Sequence, residues 1–127
     1  MTQLSIDPSE FPEEIRRAVA LALELKALDV VVLDLRGIST ATDFFVVATG
    51  RSDVHVKAIG DHVVDELKKE GVRPVHVEGA RGARWVLVDY VDFVVHIFHP
   101  EARLFYQLET LWGDAPRWDA SPPDEIG

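Results

Sequence analysis

The sequence predicts a single α/β domain in which helices pack on a mixed five-stranded sheet, in the order α-β-β-α-β-β-β-α. The chain has 127 residues, of which 47% are hydrophobic, which suits one core and leaves too little for two domains. Apolar residues recur at helical spacing in three segments. Short β-branched and aromatic segments lie between them and are typical of strands.

The first helix is predicted to begin at Pro12, because proline fits the first helical position and the acids after it suit the positive end of the helix dipole. Its apolar positions are Ile15, Ala18, Val19, Ala22 and Leu25. Residues 1–10 lack such a pattern and are expected to be flexible. VVVLDLRG (30–37) and FFVVATG (44–50) predict two hairpin strands, and the second is apolar throughout, as expected of a central strand covered on both faces.

The second helix follows the turn TGRSD (49–53), where Ser52 or Asp53 can cap the first turn. Gly71 suits the position just after the end of this helix. RPVHVEG (73–79) predicts the third strand, and the strand–helix–strand order predicts a right-handed parallel crossover. The core positions of the helix are Val56, Ile59, Val63 and Leu67.

WVLVDY (85–90) and FVVHIF (93–98) predict a second hairpin. Strand alternation puts Trp85, Leu87 and Asp89 on one face and Val86, Val88 and Tyr90 on the other. One face must pack on helices, while the other still carries large apolar and aromatic groups. Two interpretations remain open: the helices cover both faces, or part of this sheet is exposed as a partner site.

A last helix is predicted to begin at Pro100, with Leu104, Phe105, Leu108 and Trp112 directed inward. From Gly113 onward the sequence has prolines and acids without periodicity. The predicted organisation is therefore a flexible N-terminus, a domain over residues 11–113, and an acidic Pro-rich tail over 114–127.

The net charge of −9 lies mostly at the two ends of the chain. Residues 1–14 carry −4 and residues 113–127 carry −3, so the body between them is nearly neutral. No basic field exists to neutralise many phosphates, which disfavours nucleic-acid binding and favours docking onto a protein. The start MTQLSIDPSE lacks signal-peptide features, and no segment is long and apolar enough for a membrane helix. We expect a cytoplasmic protein without a membrane partner.

Evidence for a catalytic or metal site in the sequence is weak. The TGRSD turn could present backbone N–H groups to an anion, but helix capping by Ser52 is the favoured interpretation, because no lysine follows as in a phosphate loop. The absence of cysteine excludes a thiolate nucleophile. His55 and His62 are two helical turns apart, too far to share an ion. The acids nearest the strands are better explained as turn residues than as metal ligands, namely Asp34, Asp43, Asp89 and Asp92.

Four motifs together resemble a known family. They are T-G-x-S at 49–52, the spacing from Glu78-Gly79 to Trp85, the block W-V-L-x-D-Y-x-D-x-V-V-H-I-F, and R-x-F-Y-x-L-E-x-L-W near the end. From about residue 15 to 115 the chain resembles the ribosomal silencing factor family, also called Iojap-like proteins. The resemblance implies a fold related to nucleotidyltransferases without their catalytic carboxylates, and hence no enzyme activity and no cofactor.

The resemblance also implies a function and a binding surface. Family members bind a protein on the intersubunit face of the large ribosomal subunit, block joining of the small subunit when nutrients are short, and are associated with large-subunit maturation. Free members are often homodimers. Val91 departs from the family's usual glycine, which alone would permit positive φ without strain. The alternative function is that of a metal-dependent nucleotidyltransferase or a nucleotide-binding protein that uses TGRSD and nearby aspartates. The implied partner-binding residues are Arg84, Trp85, Leu87, Asp89, Tyr90, Asp92, His96 and Phe98.

Overall fold

The structure is a computed structural model that describes residues 7–79, 84–106 and 113–120. The described helices and strands follow the predicted order, with one further strand at the end. The helices are α1 (Glu13–Glu24), α2 (Asp53–Lys69) and α3 (Pro100–Tyr106). The strands are β1 (Leu28–Asp34), β2 (Phe44–Thr49), β3 (His76–Glu78), β4 (Trp85–Asp89), β5 (Phe93–Phe98) and β6 (Arg117–Asp119).

The described strands form one mixed sheet in the order β3-β4-β5-β2-β1-β6. Both predicted hairpins are confirmed, because β1 pairs antiparallel with β2 and β4 pairs antiparallel with β5. The connection from β2 through α2 to β3 joins strands that run in the same direction, as predicted, because β2 is parallel to β5 while β4 is antiparallel to both β5 and β3. In the sheet β5 and β4 lie between β2 and β3. One edge of the sheet is β3, a strand of three exposed residues, and short polar strands are common at sheet edges.

The predicted count of five strands is wrong, because residues assigned to the tail form β6 against β1. The backbone N–H of Asp34 donates to the Pro116 carbonyl, and that of Ala120 donates to the Val30 carbonyl. An edge strand pairs on one side alone, so a short segment beside prolines can join a sheet without an alternating pattern. The inward residues predicted for the last helix, from Leu104 to Trp112, lie outside the residues whose side chains the structure describes.

The N-terminal end of the domain is also more ordered than its sequence predicts. Asp7 accepts a hydrogen bond from the Ser9 N–H and caps a short 3-10 helix, Pro8–Glu10. Phe11 follows and is buried, with its ring 5.5 Å from that of Phe44 and 5.6 Å from that of Trp118. This aromatic contact joins the residues before α1 to β6. Residues 1–6, also predicted to be flexible, are outside the described ranges.

Helices α1 and α2 pack side by side on one face of the sheet and bury the main core. Ser52 caps α2 by accepting the His55 N–H, and Gly71 follows the helix with φ +89°, both as predicted. α3 lies against the opposite face, where Ala102 packs against the buried cluster of Val47 and Phe98. Within the described ranges no helix has the length and apolar character needed to cross a membrane. The main core includes Ile15, Val19, Val32, Val46, Ile59, Val63, Val88 and Ile97.

The β4–β5 turn holds a valine in a left-handed conformation, since Val91 has φ +74°. The turn is fixed around it: its N–H donates to the Asp89 carboxylate at 2.8 Å, and its carbonyl accepts from the Thr42 hydroxyl at 2.9 Å. A β-branched residue is strained there by about 1–2 kcal/mol.

We therefore expect Val91→Gly to raise the free energy of unfolding by about 0.5–1 kcal/mol, after the entropy that glycine gains in the unfolded chain is subtracted. Urea denaturation, monitored by circular dichroism, measures this change in the free energy of unfolding. Val91→Ala is the matched control, because alanine keeps a Cβ at positive φ and should gain much less. Equal stability of the glycine and wild-type proteins would show that the turn stores no strain.

Candidate functional site

The sheet face opposite α1 and α2 carries a layer of aromatic side chains. Trp85 and Leu87 on β4 point to this face and are half-buried, whereas Val86 and Val88 between them are buried against the helices. Trp85 pairs with Phe98 and Leu87 pairs with His96, so these two residues of the neighbouring strand β5 point to the same face. We call this surface the aromatic face; it consists of Phe45, Trp85, Leu87, His96 and Phe98.

The rings of the aromatic face are in mutual contact. The Trp85 ring stacks on Phe98 with centroids 5.1 Å apart, and Phe45 meets His96 edge-on at 4.4 Å. Phe98 and His96 are buried, while Phe45 and Trp85 remain half-buried at the surface. The layer therefore consists of two buried rings that support two partly accessible aromatic side chains, an arrangement typical of an interface hot spot.

His96 holds the orientation of Trp85. The Trp85 Nε1–H donates to His96 Nδ1 at 3.1 Å, so the proton of the neutral imidazole is on Nε2. His96 is only 4% exposed, and its Nε2 has no hydrogen-bond partner among the described residues. Burial lowers the pKa of His96 to about 4. The imidazole is therefore neutral near pH 7 and acts as an acceptor that fixes the indole ring.

The burial of His96 predicts a specific loss of stability in acid. Its folded-state pKa of about 4 lies below the ordinary 6.5, so the unfolded chain takes up the proton first as the pH falls. The stabilisation is complete above pH 6.5 and is lost between pH 6.5 and 4, by about 3 kcal/mol. His96→Gln cannot titrate, so the wild-type free energy of unfolding should fall more steeply over this range. Parallel pH profiles of the two proteins in urea denaturation would contradict the assignment.

Asp89 and Arg84 lie at the two ends of β4 and differ in how they are held. The Asp89 carboxylate accepts the Val91 N–H and is half-buried on the aromatic-face side of the strand. The Arg84 guanidinium pairs with Glu101 on α3 at 2.8 Å, and the Arg84 carbonyl accepts the His99 N–H. Arg84 thus links β4 to α3, while Asp89 is a negative charge at the margin of the aromatic face.

Tyr90 and Asp92 belong to the other side of the sheet. Tyr90 is 8% exposed and stacks on Phe93 with centroids 4.7 Å apart, within the helix-covered core. Burial raises the pKa of Tyr90 to about 12. Asp92 is exposed in the β4–β5 turn. The structure therefore divides the eight residues singled out in the sequence: six lie on or beside the aromatic face, and Tyr90 and Asp92 lie apart from it.

The TGRSD turn uses its own backbone donors. Ser52 Oγ accepts the His55 N–H at 3.1 Å, and His55 Nδ1 accepts the Arg51 N–H at 2.8 Å. His55 Nε2 in turn donates to the Leu25 carbonyl at 2.6 Å. A Cβ at Gly50 would come within 2.8 Å of the Val56 nitrogen, so this glycine allows α2 to begin close to the strand. The geometry is that of helix capping and packing.

The aspartates near the strands do not converge. Asp34 is buried and accepts hydrogen bonds from the Arg36 guanidinium at 2.7 and 3.0 Å. Burial raises the pKa of the Asp34 carboxyl, but the hydrogen bonds and charge of Arg36 together outweigh burial, so the pKa is lowered. Among residues 7–79, 84–106 and 113–120, no group of three or more histidines or acids is arranged to hold a metal ion. Asp43 and Asp92 adjoin each other through a backbone hydrogen bond, in which the Asp43 N–H donates to the Asp92 carbonyl at 3.0 Å, away from Asp34.

Phe45 is the member of the aromatic face that the sequence did not reveal. Because β2 is apolar throughout, its sequence gives no sign that one residue is less covered than its neighbours. Strand alternation could have indicated Phe45, because residues two apart on a strand share a face. Phe45 therefore lies on the same face as Val47, which packs with Phe98.

Comparison with known proteins agrees with the resemblance of the motifs. A family model described as "Ribosomal silencing factor during starvation" matches residues 8–126. The chain belongs to the ribosomal silencing factor family. The name of this family describes a regulatory rather than a catalytic role. Residues 117–119, which form β6, fall within the matched range.

Relatives from bacteria and plants support membership in the ribosomal silencing factor family. The chain is 44% identical over 102 residues to "Ribosomal silencing factor RsfS" of Bacillus subtilis, covering 80% of this chain and 86% of that protein. It is 42% identical to the protein of the same name from Halalkalibacterium halodurans, covering 82% and 89%. It is 34% identical to "Protein Iojap, chloroplastic" of Zea mays, covering 87% of this chain and 50% of that one.

Solved structures share the fold of this ribosomal silencing factor family member. A crystal structure from Bacillus halodurans matches with a TM-score of 0.74 at 39% identity, covering 83% of this chain and 95% of that one. A crystal structure of a protein from Chromobacterium violaceum matches with a TM-score of 0.76 at 35% identity, covering 91% and 92%. The mixed α/β single domain is thus shared with solved structures of related sequence.

Proposed function

We propose that this chain binds a protein on the intersubunit face of the large ribosomal subunit and thereby blocks joining of the small subunit. The observation that carries the proposal is the half-exposed Trp85, held by a hydrogen bond from its indole to His96 and stacked on Phe98. A large aromatic side chain fixed in this way loses little entropy on binding, which is a property of interface anchors. Membership in the family supplies the ribosomal context.

Silencing by this route needs no chemical step. A 14.2 kDa domain seated on the joining surface would exclude the small subunit by its volume alone. The apolar anchors, Trp85 and Leu87 together with Phe45, would supply affinity. Asp89 at their margin would select a basic patch on the partner, because complementary charge at an interface rim raises specificity and association rate. This role would place the protein in the cytoplasm, where subunits join.

We also propose that the aromatic face is where two free copies associate. Half-buried aromatic residues exposed on one small domain favour self-association when no other partner is present. A homodimer formed through this face would compete with the ribosome, so release of the second copy would precede binding. Light scattering of the purified chain gives its mass in solution, and addition of large subunits should deplete the dimer.

The experiment that tests the main proposal is co-sedimentation with isolated ribosomal subunits. The chain is incubated with large subunits, the small subunits are added last, and the gradient is read for joined particles. We expect the chain to travel with the large subunit and the joined particle to be lost. Small subunits alone are the control, and the chain should remain at the top of that gradient.

Two results would contradict the proposal in different ways. If the chain does not travel with large subunits, the proposed binding to the large subunit is contradicted. If it travels with them but joined particles form normally, the chain binds without silencing, and a role in large-subunit maturation replaces the steric one. The alternative of a nucleotide-binding enzyme is tested separately by titrating ATP or GTP with a divalent ion.

A further inference from the structure

The edge of the sheet at β3 combines a short strand with exposed apolar side chains. β3 is first in the strand order, so β4 is its only partner among the described strands. Val77 in the strand is 41% exposed, and Val75 just before the strand is 66% exposed. An edge strand offers unpaired backbone groups to another chain, and natural proteins protect most edges against such pairing. The chemistry of this edge therefore decides whether it repels or accepts a second strand.

The backbone hydrogen bonds of β4 show which of its residues face β3. On the β5 side, the N–H of Tyr90 donates to the Phe93 carbonyl, and the N–H of His99 donates to the Arg84 carbonyl. The register of the β4–β5 pair is regular between these two bonds. Successive residues of an antiparallel strand direct their backbone groups to opposite sides. Even-numbered residues of β4 therefore bond to β5, and odd-numbered residues direct their N–H and carbonyl groups toward β3.

Val77 consequently directs its backbone N–H and carbonyl away from the sheet. The odd-numbered residues Leu87 and Asp89 stand opposite Glu78 and His76. These two residues of β3 therefore bond to β4, and Val77 between them presents one donor and one acceptor at the outer edge. A second strand laid along this edge would pair with both groups.

The side chains on either side of Val77 are complementary to each other. The imidazole of His76 and the carboxylate of Glu78 are exposed and hydrogen-bonded within the strand. If two such strands pair antiparallel about a twofold axis at Val77, His76 of each copy stands opposite Glu78 of the other. These would be non-hydrogen-bonded pairs, in which facing side chains lie closest. Val77 would meet its own counterpart, so the strand is complementary to itself in backbone, charge and apolar surface.

We propose that β3 is a self-association edge, to which a second copy of this chain adds its own β3 antiparallel with Val77 opposite Val77. The sheet would then run continuously through both copies. The twofold axis would be normal to the sheet, so both aromatic faces would lie on one side of it and stay uncovered. This contact is therefore distinct from association through the aromatic face and does not depend on the proposed ribosomal function. Three residues from each copy form a small contact, so the dimer is transient.

Disulfide trapping tests the register, because the chain has no cysteine of its own. The Cα atoms of a hydrogen-bonded antiparallel pair lie about 5.5 Å apart, within the range of a disulfide. Val77→Cys should therefore give a linked dimer under mild oxidation, measured on a non-reducing gel. Val75→Cys is the matched control, since it is more exposed but stands opposite residue 79 in this register. We expect Val77→Cys to link at least about tenfold faster than Val75→Cys.

Charge reversal tests the pairing of His76 with Glu78. In the Val77→Cys background, His76→Glu places carboxylates opposite each other at both ends, and Glu78→Lys removes both complementary pairs. Each variant alone should link at least about tenfold more slowly, since two cross-strand pairs are lost or made repulsive. An equal mixture of the two should restore linking between them, because each introduced glutamate then faces an introduced lysine. Mass spectrometry identifies the mixed dimer.

Two results would overturn the proposal. The first is an equal linking rate for Val77→Cys, Val75→Cys and the remote, 80% exposed Val54→Cys on α2, which would indicate random collision. An extended segment of another protein would then be the remaining occupant of the edge. The second is a mixture of the charge variants that links no faster than either variant alone, because the register would then not pair these side chains.

Phe45→Ala in the Val77→Cys background separates this contact from association through the aromatic face. Phe45 lies on the aromatic face on β2, with β5 and β4 between it and β3. We expect Phe45→Ala to leave the linking rate unchanged. A rate that falls with this substitution would place the contact on the aromatic face and overturn the assignment to β3.

Discussion

Replacing Trp85 by alanine is expected to abolish co-sedimentation with the large ribosomal subunit. Trp85 is the half-exposed centre of the aromatic face, stacked on Phe98 and hydrogen-bonded to His96. A central anchor of this kind contributes about 4 kcal/mol, so its loss should weaken binding about 1000-fold. Subunit joining should then proceed normally in the presence of the variant.

The control for this substitution is Val54→Ala. Val54 is 80% exposed at the start of α2, so its truncation also removes exposed apolar surface but away from the aromatic face. This variant should bind like the wild type. Because Trp85→Ala also removes packing from Phe98, Leu87→Lys provides a second test that leaves the ring stack in place. If both substitutions on the aromatic face bind as the wild type does and circular dichroism shows folded proteins, the aromatic face is not the docking surface.

Gly79→Ala is expected to be the most destabilising of the substitutions considered. Gly79 has φ +83°, and a Cβ there would overlap the Trp85 carbonyl oxygen and lie 3.0 Å from the Trp85 carbonyl carbon. The strained φ contributes about 1–2 kcal/mol and the overlap about 1–3 kcal/mol. We expect the free energy of unfolding to fall by about 4 kcal/mol, measured by urea denaturation, because the obstacle is backbone and cannot rotate away.

Gly71→Ala is the matched control for Gly79→Ala. Gly71 has a similar φ of +89°, but a Cβ there would meet no atom within 4 Å. Gly71→Ala should lower the free energy of unfolding only by the cost of the strained φ, about 1–2 kcal/mol. The difference between the two variants isolates the close approach of β3 to β4. We further expect Gly79→Ala, and not Gly71→Ala, to weaken large-subunit binding, since relief of the overlap must move β3 or the Trp85 backbone. Equal losses of stability would show that the approach is not tight.

Much of the fold was predictable because its signals are local. The ends of helix α2 were predicted from Ser52 as its N-cap and from Gly71 just after its C-terminal end, and the structure confirms both. The central position of β2 followed from its uninterrupted apolar sequence. β6 was not predictable, because three residues among prolines carry no periodic signal and pair only where β1 offers a free edge.

The aromatic face was predictable in part. Alternation along β4 put Trp85 and Tyr90 on opposite faces, as observed. The motif resemblance nevertheless grouped them in one binding surface, since nearness in sequence carries no information on which face is open. The contribution of Phe45 depends on the register of β2 against β5, which pairs residues 49 positions apart in the chain, such as Phe45 and Val94.

The sequence by itself determined the family, the order of helices and strands, and the residues at which helices begin and end. The helices, the strands and their ends depend on neighbours within a few positions along the chain. The tertiary structure decided which hairpin face remains half-open, how His96 orients Trp85, and that Tyr90 and Asp92 adjoin Asp43 and Arg73 in a separate cleft. Those features arise from contacts between distant segments, and a side chain's exposure depends on everything that packs around it.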